Sequence, residues 1–195
     1  MTNIKLVDNR EDSKLTRGLV EVGNYLYNTE TGGLSLIADL ETTEDIFYGV
    51  LDITKHERGQ HDITPLFSEL RDSLVDGDLK GKYLPVEMEK TEVTINFSVN
   101  EDNMIPEEYL SNVGDVFYHP DSDELVMLVN YETDSVQWNL VSLTTGNNME
   151  ASDTSVCTLG MDYWDINTVF DSIALLIRNR VILPVSDLEF KYTLK

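Results

Sequence analysis

The chain has 195 residues, of which 36 are Asp or Glu and 14 are Lys or Arg, so its formal net charge is −22 and its pI is about 4.2. This composition argues against direct binding to nucleic acid, because binders of that class neutralise phosphates with a basic surface. Apolar and aromatic residues are spread along the whole chain, which predicts a folded protein and not a disordered acidic tail.

The single cysteine, Cys157, excludes an intrachain disulfide and suits a reducing compartment. The first residues contain no apolar run of the kind found in signal peptides. No run reaches the roughly 18 apolar residues that a membrane-spanning helix needs. We therefore expect a soluble, cytoplasmic protein.

Residues 1–18 contain one short apolar run, Ile4–Val7, and are interpreted as an N-terminal arm. Short apolar runs separated by turn residues then predict strands within a first repeat at 19–99. These runs cover 25–27, 34–40, 46–53 and 92–99. Apolar residues at helical spacing predict a helix over 63–75, with Asp62 as its N-cap.

Residues 100–109 form a polar linker that contains a proline, and a second repeat follows at 110–195. The same signals predict a helix from a cap at Asp165 to about Asn179. The strands predicted in this repeat are 116–118, 125–131, 136–143, 154–159 and 188–194.

The two repeats align when the chain is shifted by 91 residues. Pairs matched at this shift include Leu19 and Leu110, Gly23 and Gly114, Tyr27 and Tyr118, Leu34 and Leu125, and Phe47 and Trp138. A Leu-Pro-Val segment follows the predicted helix in both halves. The sequence therefore predicts a β-rich α+β protein of two tandem, duplicated units. We expect each unit to be a small barrel or meander with one helix and a final strand.

In both halves a Val-Gly-Asn or Val-Gly-Asp turn precedes an aromatic strand, a turn and two further strands, over about 35 residues. This pattern resembles SH3-like small barrels of the KOW and Tudor type. The resemblance implies a module that binds nucleic acid or nucleic-acid machinery. In style, the chain is also similar to small acidic accessory proteins of tailed phages, which implies action in a host cytoplasm.

Charge is distributed unevenly, because residues 91–177 contain 16 acidic residues and no Lys or Arg. We interpret this region as a surface for a basic partner protein, in its sharpest form a mimic of DNA. Alternate side chains on a strand are about 6.7 Å apart, and phosphates along one DNA strand advance about 3.4 Å each. The candidate partner-binding residues are Asp115, Asp121, Asp123, Glu124, Glu132 and Asp134, with Glu101, Asp102, Glu107 and Glu108 beside them.

No nucleophile, phosphate-loop or metal-ligand motif is present, so we expect no enzymatic activity, no cofactor and no metal. Residues 121–124 lack the spacing of a calcium loop, and the loop histidines His56, His61 and His119 lack that of a zinc site. Two alternatives remain open. One is a barrel module that scaffolds a virion or transcription assembly, with acidity serving only solubility. The other is an enzyme with dispersed carboxylates.

Overall fold

The computed structural model describes residues 14–41, 46–54, 62–86, 91–99, 114–132, 136–147 and 166–194. The described chain is a β-rich α+β fold with ten strands and two α-helices. The strands are β1 Tyr25–Asn28, β2 Leu34–Glu41, β3 Ile46–Asp52, β4 Asp62–Thr64, β5 Tyr83–Pro85, β6 Thr91–Val99, β7 Val116–His119, β8 Glu124–Glu132, β9 Val136–Ser142 and β10 Leu183–Leu194. The helices are α1 Phe67–Val75 and α2 Ile166–Arg178. The run 4–7, the strand predicted at 154–159, His56, His61 and Cys157 lie outside the described residues.

The strands form two antiparallel sheets. The first has the order β4-β3-β2-β1-β5 and the second the order β6-β10-β7-β8-β9. The interior strands β2 and β8 bury successive side chains, and therefore both of their faces, at residues 34–38 and 125–129. A strand can bury both faces only when each face of its sheet is covered by another layer.

The inner layer is a core shared by the two sheets. Alternate residues of β2, such as Leu36 and Leu40, meet alternate residues of β8, such as Met127 and Val129. We call this cluster the central core. Each fully buried aliphatic side chain in it stabilises the folded chain by about 1.5–3 kcal/mol. The residues of this cluster are apolar and come from both sheets.

A helix covers the outer face of each sheet. Leu70 and Leu74 of α1 pack with Ile37 on the first sheet. Ile173 and Leu176 of α2 pack in the same way with Leu128 on the second sheet. The described chain is thus a sandwich of four layers, helix, sheet, sheet and helix. The described strands of each sheet do not close into an SH3-like barrel.

The pairing of the first two strands recurs in both halves at the same register. Tyr25 lies opposite Leu36 in the first sheet, and the residues 91 positions later, Val116 and Met127, lie opposite each other in the second. The Leu-Pro-Val segments also occupy matching places. Leu84 lies opposite Tyr27, and Leu183 lies opposite Tyr118.

The third strand departs from the shift of 91. Four residues separate Glu41 from its partner Ile46 along the chain, whereas three separate Glu132 from its partner Val136. The predicted match of Phe47 with Trp138 is therefore wrong by one position. Trp138 corresponds to Tyr48, and the two rings pack toward α2 and α1 respectively.

The helix predicted over 63–75 with Asp62 as its cap begins later than expected. Residues 62–64 form β4 and pair with β3, and Leu66 occupies the cap position without a side-chain hydrogen bond. Thr64 Oγ1 instead accepts from the Leu66 amide at 3.4 Å and donates to Glu69 Oε2 at 2.6 Å. Pro65 explains the shift, because the residue before a proline favours an extended backbone.

Two strands of the first half behave differently. β5 completes the first sheet beside β1, while β6 leaves it and pairs with β10 of the second sheet. The sequence analysis places β6 in the first repeat, so this strand links the halves. The backbone links them again where the Asp39 amide donates to the Gly146 carbonyl at 2.8 Å. The buried Tyr25 hydroxyl adds a third link by donating to the Leu143 carbonyl.

Candidate interaction surface

Three of the predicted acids lie together in the turn between β7 and β8. Asp121 and Asp123 are exposed and Glu124 is half-buried. We call residues 120–124 the acidic turn. His119 Nδ1 orders it by accepting from the Ser122 amide at 3.2 Å. The turn closes the hairpin of β7 and β8, so its carboxylates stand at one end of the second sheet.

The first hairpin contains an equivalent turn with a different charge. Asn28 Oδ1 accepts there from the amides of Glu30 and Thr31 at 3.0 and 3.2 Å, as His119 does in the second hairpin. Gly32 occupies a left-handed position with φ 69°, and Asp123, 91 residues later, has φ 57°. Glycine adopts this conformation freely and aspartate less so. The acidic residue therefore takes a position that the equivalent turn fills with glycine.

Tyr118 fixes the Asp123 side chain. Its hydroxyl donates to Asp123 Oδ1 at 2.8 Å. This hydrogen bond raises the pKa of Tyr118, with smaller contributions from burial and from the charge of the carboxylate. In the first half, a Cβ on Gly32 would stand 3.7 Å from the Tyr27 hydroxyl, so the two tyrosines have matching surroundings.

Asp115 lies at the other end of β7, away from the acidic turn. It follows Gly114, which has φ 89° and whose amide donates a hydrogen bond to the Leu128 carbonyl at 2.7 Å at the start of the strand. The Asp115 carbonyl accepts from the Leu128 amide at 2.9 Å, and its side chain is half-buried. Gly23 and Asn24 make the same two backbone bonds with Ile37 in the first half. This position therefore has a structural role in both sheets.

The remaining candidates do not join the acidic turn within the described chain. Glu132 ends β8, eight residues after Glu124. At about 3.3 Å per residue, that distance is roughly 26 Å. Asp134, Glu101, Asp102, Glu107 and Glu108 lie outside the described residues. The densest acidic patch expected from the sequence is thus divided between opposite ends of β8.

An aromatic pair beside the acidic turn was not predicted as part of the site. The ring of Phe97 on β6 lies 5.6 Å from that of Tyr118, centroid to centroid, and Phe97 is 37% exposed. Opposite Phe97, the pairing of β6 with β10 shifts between Ser186 and Glu189. The bulge there contains the exposed Asp187, with φ 55°. An aspartate inside a strand run was the available signal for this bulge.

Salt bridges neutralise acids of the first half. Arg17 pairs with Asp72 at 2.6 Å and Lys80 with Asp76 at 3.6 Å, all on exposed side chains. No described Lys or Arg forms a salt bridge with a carboxylate of the acidic turn. The carboxylates of the turn therefore add negative charge at this end of the second sheet.

Within the described ranges, no group of three or more His, Cys, Asp or Glu side chains could hold a metal ion. The same part of the chain contains no helix long and apolar enough to cross a membrane. Comparison with protein-family models, with curated proteins and with solved structures gives no match.

Proposed function

We propose that this chain is a non-enzymatic acidic protein that inhibits or redirects a basic partner, of the class of proteins that bind nucleic acid. The observation that supports this most is Asp123. It brings a carboxylate to a left-handed position where the equivalent turn has Gly32. A residue that departs from a local backbone preference is more common at functional sites than elsewhere.

The sharper form of the proposal is mimicry of DNA. A cleft that binds phosphates also attracts carboxylates held on a rigid support. The acidic turn has such a support, because β7 and β8 lie inside the second sheet. Binding of this kind is fast at low salt and weakens as the salt concentration rises. The resemblance to small phage proteins would make the partner a host enzyme or defence factor.

We also infer that the two halves are duplicated units, each consisting of a three-stranded meander, a helix and a Leu-Pro-Val strand. The equal registers of β1 with β2 and of β7 with β8 support this. The SH3-like resemblance concerns the meander of each unit. In this interpretation the turn of the first copy keeps a single acid, Glu30, and the second copy has acquired the binding surface.

The proposal is tested by removing charge from the turn without changing its backbone. The variant D121N/D123G/E124Q removes three charges, and glycine at position 123 reproduces the equivalent turn at Gly32. The control E21Q/E30Q/D78N removes the same number of charges from exposed positions of the first half. Both variants are used as bait in a lysate of the source organism at low and high salt, and the captured proteins are identified by mass spectrometry.

We expect the wild type and the control to capture the same basic, nucleic-acid-binding proteins. Capture by the turn variant should fall severalfold, and duplex DNA should displace the partner from the wild type. The proposal is wrong if the turn variant captures that partner as well as the control does. It is also wrong if capture is insensitive to salt, as a scaffolding module held by apolar contacts would predict.

A further inference from the structure

The outer side of β6 is an unprotected sheet edge. No described strand pairs with it, since β6 ends the order of the second sheet. Proteins guard such edges with lysine, proline or short strands. β6 has nine residues without lysine, arginine or proline, whereas the edge strands β4 and β5 of the first sheet have three residues each.

The described side chains of β6, at residues 95–99, are exposed or half-buried. Asn96, Phe97 and Ser98 are all exposed, and successive residues of a strand point to opposite faces. The edge strand at the other side of the same sheet differs, because residues 138–142 of β9 are all buried. Among the edge strands of the described chain, β6 is thus the one that is both long and exposed, at residues 96–98.

The charge around this edge selects the partner. Asp187 is exposed in the bulge opposite Phe97. The ring of Phe97 contacts that of Tyr118, whose hydroxyl donates to Asp123. A second copy of this chain is a poor occupant, because two molecules of net charge −22 repel each other. A positively charged segment is attracted, and its Lys or Arg side chains can contact the exposed ring of Phe97.

We propose that the outer edge of β6 binds an extended, basic segment of a partner protein as an added strand. This inference rests on the proposed function and specifies its binding mode. Main-chain hydrogen bonds to β6 provide affinity, and the carboxylates at positions 123 and 187, in the acidic turn and on the neighbouring strand β10, attract the basic side chains of the added strand. The partner segment should therefore alternate lysine or arginine with apolar residues.

The probe is a ten-residue peptide that alternates lysine and valine, tested against the full chain. Its matched control has the same side chains but N-methyl groups on alternate amides, which removes strand hydrogen bonds without removing charge. Backbone amide exchange followed by NMR reports where the peptide binds. We expect the unmodified peptide to slow exchange at residues 95–99 and the methylated peptide to bind roughly tenfold more weakly or worse, since several net hydrogen bonds are lost.

A protein variant supplies the second arm. Phe97→Ala should weaken the peptide severalfold, while Ile46→Ala, which truncates another exposed apolar residue (45% exposed), should not. Equal binding of the two peptides overturns the added strand. If both peptides bind equally to the wild type but not to D121N/D123G/E124Q, the proposed function still holds. Binding that also survives this variant contradicts both. If the β6 amides are already protected and the peptide changes nothing, the chain's own residues or a second copy cover the edge, and the inference is wrong.

Discussion

The close approach of two glycines between the halves predicts an ordered series of stabilities. Gly146 has φ 74°, and a Cβ there would stand 2.5 Å from the Ile37 carbonyl oxygen and 2.7 Å from the Gly23 nitrogen. Both neighbours are backbone atoms and cannot rotate away. Gly81 has a similar φ of 81° but nothing within 4 Å of a Cβ. Gly18 has neither constraint.

Alanine at these positions separates backbone strain from steric overlap. Gly18→Ala should change the free energy of unfolding by less than about 0.5 kcal/mol. Gly81→Ala should cost about 1–2 kcal/mol, because only the left-handed conformation is penalised. Gly146→Ala should cost the same plus about 1–3 kcal/mol for forcing the two backbones apart. The expected loss of stability therefore increases from Gly18→Ala to Gly81→Ala to Gly146→Ala.

Urea unfolding of the wild type and the three variants measures these differences, with an unchanged m-value as the sign that only stability has changed. A double variant adds a second test. Gly23→Ala would place a Cβ 2.7 Å from the Thr145 carbonyl oxygen, in the same contact. Its cost should therefore not add fully to that of Gly146→Ala. Equal costs for Gly146→Ala and Gly81→Ala would refute the close approach.

Two further predictions concern single hydrogen bonds. Burial raises the pKa of Tyr25 above its usual 10.0, so this group's contribution is complete below about pH 10 and is lost as the pH rises through the folded pKa. Tyr25→Phe should cost about 1 kcal/mol at pH 7 through the lost bond to Leu143. The variant should also lose less stability than the wild type between pH 7 and 11, as measured by urea unfolding at each pH. The same pH dependence in both proteins would contradict this. His119→Ala should cost about 1 kcal/mol, while His119→Asn should be nearly neutral because Asn28 has the same role. Equal urea midpoints for the two variants would show that His119 does not order the turn.

Much of the strand and helix layout could be predicted from the sequence. The predicted strands 34–40 and 125–131 agree within a residue with β2 and β8, because apolar runs bounded by turns are a local signal. The sandwich was missed although its signal was present. These two runs are nearly continuous in apolar residues, and a strand that does not alternate is typical of a sheet covered on both faces.

Other features depend on contacts distant in sequence. The partner of β6 could not be predicted, because alternation identifies the strand but not whether it stays in the first sheet. The acids could be located, yet charge counts do not include strand length, so Glu124 and Glu132 were placed in one patch. Alternation of apolar residues along 92–99 favours a buried face for Phe97, whereas its position at the sheet edge leaves it exposed.

The pairing of β6 with β10 has a consequence for synthesis of the chain. β6 ends at Val99 and β10 begins at Leu183, so an apolar strand emerges from the ribosome long before its partner. During that interval its edge is open to other nascent chains, and unpaired strands are a common origin of aggregation. The stretch made in this interval contains no lysine or arginine before Arg178. We therefore expect neighbouring nascent chains to repel one another until β10 completes the sheet, so that acidity limits aggregation while the protein is being made.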